Sequence, residues 1–425
     1  MADVTGGLEA ALPELMMPEL MPELMLVLPP PQRYLLAALS AHFGGRTLPD
    51  PAADPVGDLG TDPDWPAVFE LARHHRLAPL LAGAIPPETP MGAPLGTAGG
   101  PTVLDWQRHV ARQSLLATAR MLAITRHFEK AGIDLLVLKG PAQAMLLFGN
   151  AQARSCRDID LLVRPAQKEA AIALLRGLGY GTRPDLLARH VNAIFLASET
   201  GGPPVELHTQ LSEGDIAFPG RVLDPFRHSG EVTINGRTVR TLSPGATIAY
   251  AAHHAARHHW SRFYWLADLM AATRRPAADW EEAVLFAKQG GAERHLAMAV
   301  RLVAGLTGLA PPVAVPCPRR DVPILQRAER ITGAIWALPP MSENEALRRV
   351  GKLRVMRSDM ALYSHPRAAL RHLSAQLRPT ESDSMGIRLP ASLMPVLMPM
   401  LLPLRIIRVL TAKLVQRIRT PGRGL

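Results

Sequence analysis

The chain has 425 residues, of which 48% are hydrophobic, and this length and composition allow two or three domains with cores of their own. Its two cysteines, Cys156 and Cys317, exclude a disulfide framework and are typical of a reducing compartment, so we expect a cytoplasmic protein. The formal net charge of +10 favours an anionic partner such as a nucleotide, a nucleic acid or an anionic lipid.

Residues 1–63 have the composition of a low-complexity segment followed by a linker. The unit Pro-Glu-Leu-Met recurs near the start of the chain, and its prolines exclude a long helix. This segment is acidic and lacks the basic start of a secretory signal, so we expect no such signal. A short helix is predicted for residues 31–43, and a linker rich in Pro, Asp and Gly for residues 46–63.

The middle of the chain alternates between predicted helices and strands and then becomes all-helical. A helix with Asp64 as its N-cap is predicted first, and a continuous apolar run from 133 to 138 predicts a strand buried on both faces. Asn235-Gly236 predicts a tight hairpin turn. The predicted helices are 65–82, 102–131, 142–148, 165–178, 243–259, 261–274, 280–289 and 293–307, and the predicted strands are 133–138, 158–163, 191–197, 205–211, 231–234 and 237–242.

Two aspartates, Asp158 and Asp160, lie one residue apart in an apolar, strand-like run. The period of two along a strand places both carboxylates on one face. That arrangement suits a divalent cation with hard oxygen ligands, such as Mg²⁺ holding nucleotide phosphates. Lys139-Gly140 ends the preceding strand just before a helix, and a glycine there lets backbone amides approach phosphates closely.

A third carboxylate on a neighbouring strand would complete such a site, and Glu206 is the natural choice. Lys139, Arg154 and Arg157 are predicted to contact phosphates, and His208 shares the strand face of Glu206. Several of these residues could have an ordinary structural role instead of a role in such a site. Glu206 could face water, His208 could be structural, and the arginines could be ion-pair partners in a loop.

These residues resemble those of the uncharacterised bacterial nucleotidyltransferase family of the polymerase-β superfamily. The resemblance covers roughly residues 60–310 and includes the helix that begins at Trp65. One departure is Gly140-Pro141, where the wider superfamily has Gly-Ser or Gly-Gly, so a serine hydroxyl for the phosphate is missing. The matching segments are Leu138-Lys139-Gly140, Arg154, Asp158 to Val163, Gly179-Tyr180, Val205 to His208, His254, and Trp265 to Asp268.

The resemblance implies an α/β (α+β) fold with a small mixed sheet, flanked by N-terminal and C-terminal helical regions. It also implies a transferase that moves a nucleoside monophosphate from an NTP, ATP included, to an unknown acceptor, with one or two Mg²⁺ ions. Asp158, Asp160 and Glu206 would be the catalytic and metal-binding residues, and Lys139, Gly140, Arg154 and Arg157 would bind the nucleotide. The predicted regions are 1–63, 64–131 (helical), 132–242 (nucleotidyltransferase core), 243–309 (helical), 310–384 (helical extension) and 385–425 (basic tail).

Two further features leave alternatives open. His254 and His258 are spaced for zinc, but no glutamate of a zinc-protease motif adjoins them, so helix packing, a bond from His254 to Asp268, or contact with the substrate is favoured. The basic tail, 385–425, could lie on an anionic membrane surface, pack on the body or stay solvated.

Two rival functions remain open. Gly140-Pro141 favours a catalytically degenerate nucleotide-binding protein, and the basic tail favours a peripheral membrane or nucleic-acid adaptor. A small-molecule or protein acceptor is favoured over nucleic acid, because basic stripes interleaved with aromatic residues are absent.

Overall fold

The computed structural model describes residues 28–44, 64–80, 102–182, 193–212, 217–220 and 222–364. The predictions for the N-terminal repeats, the 46–63 linker and the basic tail lie outside these residues. No helix of the described ranges is both long enough and apolar enough to cross a bilayer.

Helices surround one mixed sheet, which confirms the predicted fold class. The strands are β1 (Leu135–Val137), β2 (Ile159–Val163), β3 (Tyr180–Thr182), β4 (Ala193–Ser198), β5 (Val205–His208), β6 (Ser229–Ile234) and β7 (Arg237–Leu242). The helices are α1 (Pro30–Gly44), α2 (Trp65–His74), α3 (Val103–Lys130), α4 (Gly140–Phe148), α5 (Lys168–Gly177), α6 (Pro244–Arg257), α7 (Phe263–Ala272), α8 (Ala277–Gly290), α9 (Glu293–Thr307), α10 (Val322–Trp336), α11 (Glu343–Val350) and α12 (Lys352–Leu362).

The seven strands follow the order β3-β4-β5-β2-β1-β7-β6. At the centre, β2 pairs antiparallel with β1 and parallel with β5. The parallel register places Asp160 beside Glu206 and Leu162 beside His208. The sheet therefore brings together side chains that are far apart in the sequence.

Both faces of the central strands are buried. Leu136 and Leu162 belong to a core shared with the helices that follow the sheet, whereas Val137 and Leu161 belong to a second core beneath α3 and α5. Successive residues of a strand point to opposite faces, so a continuous apolar run is what a strand covered on both sides requires.

The prediction of one continuous helix over residues 65–82 is wrong at residues 75–77, which separate α2 from a helical segment that begins at residue 78. The helix stops at His74, and Arg76 adopts a left-handed conformation with φ of 59°. The buried ring of His75 stacks on Phe263 with 3.8 Å between ring centroids. The amide of Leu77 donates to the carbonyl of Ala72, which closes the turn. This packing against α7 overrides the helical spacing and turns Arg76 toward the site described next.

The segment predicted as a strand over 205–211 is also shorter in the structure. The strand β5 ends at His208, the second of its two polar residues, Glu206 and His208, that line the cavity.

Candidate active site

One cavity of about 330 Å³ collects the residues that the sequence singles out. It lies where β2 and β5 meet the start of α4 and the helices α6 and α7. The predicted residues on its wall are Lys139, Gly140, Arg154, Arg157, Asp158, Asp160, Glu206, His208 and His254.

A cluster of metal-ligand type forms where β2 and β5 run side by side. One ligand atom each from Asp160, Glu206 and His208 lies within 4.8 Å of the others. The Nε2 atom of His208 lies 3.3 Å from Oδ1 of Asp160 and 3.7 Å from Oε1 of Glu206. Asp158 lines the same cavity but is not part of this cluster. The cluster thus contains two of the three predicted carboxylates, and His208 joins them.

Lys139 supplies a cation at the centre of this acidic group. Its Nζ atom lies 2.7 Å from Oδ1 of Asp160, and both side chains are largely buried. Burial alone would lower the pKa of Lys139, but Asp160 and the other nearby acids raise the pKa well above its ordinary value. Lys139 is therefore an ammonium ion at neutral pH.

The two aspartates have pKa values shifted in opposite directions. Burial favours a raised pKa for Asp160, but Lys139 and the hydrogen bond with His208 outweigh it and hold the pKa well below its usual range. The pKa of Asp158 is raised by burial and by the negative charge of Asp160. Burial and the charge of Asp160 thus disfavour the charged form of the Asp158 carboxyl group, and the positive charges of Lys139 and Arg76 oppose this effect.

Gly140 occupies a position that other residues would strain. Its φ is +62°, and a Cβ atom there would lie 3.0 Å from Sγ of Cys156. The thiol of Cys156 is within 3.0 Å of the carbonyl oxygen of Asp158, so it packs between two site segments. Burial raises the pKa of this thiol to about 12, which keeps it neutral and unreactive.

Arg154 is held by a partner from a distant helix. Its Nε atom lies 3.1 and 3.0 Å from the two carboxylate oxygens of Asp268, and Gln143 donates a third bond to that carboxylate. Both side chains of the ion pair are buried, at 9% and 2% exposure. The pair ties the segment before β2 to α7. The carboxylate of Asp268 accepts its hydrogen bonds from Arg154 and Gln143. The ring of His254, for which a bond to Asp268 was one expectation, packs against the rings of His258 and Trp265.

The rest of the wall consists mainly of residues that sequence reasoning did not assign to the site. His258 stacks on Trp265 with ring centroids 5.0 Å apart, and its Nδ1 lies 3.1 Å from a carboxylate oxygen of Glu343. Neither Arg76 nor Glu343 stands in a motif, so no local signal could have found them. The additional residues on the wall include Arg76, Gln210, Ser212, Tyr250, Arg257, His258, Arg262, Tyr264, Trp265 and Glu343.

Comparisons with known proteins give a family and two similar solved structures. Similar solved structures include the antibiotic-resistance factor ANT(2'')-Ia, with 18% identity and a TM-score of 0.31 over 42% of this chain and 94% of that chain. Another is an antigenic nucleotidyltransferase-like protein from Paracoccidioides brasiliensis, with 15% identity and a TM-score of 0.29 over 47% of this chain and 94% of that chain. No curated protein matches the chain. The model of the uncharacterised nucleotidyltransferase family matches residues 61–308, more than half of the chain, and the protein therefore belongs to that family.

Proposed function

We propose that this protein is a Mg²⁺-dependent nucleotidyltransferase that moves a nucleoside monophosphate from an NTP to an acceptor hydroxyl, with pyrophosphate leaving. The observation that carries the proposal is the cluster of Asp160, Glu206 and His208, with Lys139 bound to it, in a chain of this family. The acceptor is a separate question from the reaction. The two free cysteines are consistent with the cytoplasmic location that we also propose.

The donor set fits a divalent cation. Asp158, Asp160 and Glu206 offer carboxylate oxygens from one cavity, which are the ligands that Mg²⁺ prefers, and His208 adds a nitrogen. When bound, Mg²⁺ would neutralise the charge that develops on the phosphates during transfer.

The nucleotide would lie against Lys139 and the start of α4. Since Nζ of Lys139 already sits on Asp160, we expect the ammonium to exchange this carboxylate for a phosphate oxygen when substrate binds. Gly140 lines the cavity, and the absence of a side chain there makes room for the thiol of Cys156 beside the proposed phosphate position. Arg157 would add a phosphate contact from the cavity wall, and Arg154 would position this segment through Asp268.

Glu206 is the residue best placed to serve the acceptor. Its side chain is 18% exposed, compared with 4% for Asp160, so an incoming hydroxyl can reach it more readily. We propose that Glu206 acts either as the third metal ligand or as the base that accepts the hydroxyl proton.

A second function deserves its own test because of Gly140-Pro141. Proline has no backbone N–H, so the first turn of α4 offers one donor fewer to phosphate. A protein of this fold that binds nucleotide without turnover would show Mg²⁺-dependent binding but no transfer of label to any acceptor.

The proposal predicts that nucleotide binding requires the aspartates and Mg²⁺ together. Calorimetric titration of ATP and the other NTPs should detect binding to the wild type with Mg²⁺, and the variant Asp158→Asn/Asp160→Asn should bind at least about tenfold more weakly, a loss of about 1.4 kcal/mol. The matched control is Glu231→Gln/Glu281→Gln, which removes two exposed carboxylates outside the cavity and should bind as the wild type does. Equal binding by the aspartate variant and the wild type would contradict the proposal.

A further inference from the structure

Two arginines on the cavity wall have no part in the reaction proposed above. Arg76 comes from the turn that follows α2, and Arg262 lies immediately before α7. Both belong to the helical regions, whereas the metal-ligand cluster belongs to the sheet. Arg157 is a third guanidinium on the same wall.

No described carboxylate forms an ion pair with Arg76 or Arg262. The guanidinium of Arg76 lies over the ring of Tyr264, 5.5 Å from its centroid. Arg262 contacts the ring of His74 and the carbonyl oxygen of Ser261. By contrast, the buried cations Lys139 and Arg154 of the same cavity each have a carboxylate partner within 3.0 Å.

The nearby carboxylates Asp158 and Glu343 compensate this positive charge only in part. Burial and the charge of Arg76 lower the pKa of both Arg157 and Arg262. Burial and the charge of Arg262 lower the pKa of His74 to about 4, so the histidine is neutral at physiological pH. Like charges held together in a partly buried wall are unfavourable unless an anion binds between them.

We propose that Arg76 and Arg262 bind a phosphate group of the acceptor. This inference rests on the proposed function and adds the chemical class of the second substrate. Guanidinium groups bind phosphate through paired N–H donors, and two of them match a dianion with several oxygens better than a carboxylate. In the proposed function, Lys139 and the start of α4 bind the phosphates of the NTP next to the metal-ligand cluster. The pair on the helical side is thus available to a second anion.

The test is calorimetric titration of inorganic phosphate into the full chain, with and without saturating ATP and Mg²⁺. The wild type should bind phosphate in both conditions. Arg76→Gln/Arg262→Gln should lose at least about tenfold in phosphate affinity, while its affinity for ATP stays within about twofold of the wild type. The control Arg327→Gln/Arg330→Gln removes two exposed arginines outside the cavity and should bind phosphate as the wild type does.

Three results would overturn the inference: no binding of phosphate to the wild type, unchanged phosphate affinity in the double variant, or displacement of phosphate by ATP. The last result would assign the two arginines to the triphosphate. Should the double variant not fold, the phosphate affinity of Arg76→Gln alone is measured instead. This single variant should fold, because among the described residues the guanidinium of Arg76 contacts only the ring of Tyr264. A failure of ATP to bind would count against the proposed function, whereas loss of phosphate binding in the variants would still locate the anion site.

Discussion

Replacing Asp160 with asparagine should destabilise the folded protein by about 3 to 5 kcal/mol and reduce nucleotide transfer by at least about 100-fold. The first effect arises because Lys139 would remain as a buried ammonium ion without its carboxylate, which now lies 2.7 Å away. The second arises because the metal-ligand cluster loses its central member. Chemical denaturation measures the free energy of unfolding, and an NTP labelled at the α-phosphate measures transfer.

The variant Glu206→Gln separates the two effects. It leaves the Lys139–Asp160 pair intact, so its free energy of unfolding should stay within about 1 kcal/mol of the wild type, while transfer should fall as strongly as in Asp160→Asn. If Asp160→Asn proved as stable as the wild type, this would contradict our claim that the buried Lys139–Asp160 pair stabilises the folded protein.

Replacing Asp268 with asparagine should also destabilise the protein by about 3 to 5 kcal/mol, because Arg154 would be left buried without a countercharge. We expect weaker nucleotide binding as well, since Arg154 anchors the segment that leads to Asp158. Chemical denaturation and calorimetry with ATP and Mg²⁺ measure the two effects.

Two variants serve as controls for this prediction. Glu345→Gln removes the carboxylate of a solvent-exposed pair with Arg349 and should cost at most about 0.5 kcal/mol. Arg154→Met/Asp268→Leu removes both charges and should recover much of the stability that Asp268→Asn loses. A loss as small for Asp268→Asn as for Glu345→Gln would show that the buried pair does not hold α7 to the site.

The parts of the site that depend on local strand geometry were accessible from the sequence. Alternation predicted that Asp158 and Asp160 share one face of their strand and that His208 shares the face of Glu206. The structure places all four residues on one cavity wall. The pairing of Asp160 with Glu206 depends on the strand order and register, which local periodicity does not give.

The remaining parts depend on contacts that no local pattern encodes. Arg154 and Asp268 are 114 residues apart, and nothing in either segment specifies the other. Arg76 enters the cavity only because α2 ends early, where His75 packs on Phe263. Glu343 comes from a helix without a motif and reaches the site through its bond to His258. Tertiary packing decides these positions, and it can override helix propensity.

The most direct test of the proposed function is to locate a divalent cation in the protein. Crystals grown with a non-hydrolysable ATP analogue and soaked in Mn²⁺ would show the ion by its anomalous scattering. We expect a peak bound by Asp160 and Glu206, with Asp158 or His208 as a further ligand and with Nζ of Lys139 moved from Asp160 to a phosphate oxygen. A bound nucleotide without such a peak, and with Lys139 still on Asp160, would contradict the metal-dependent mechanism.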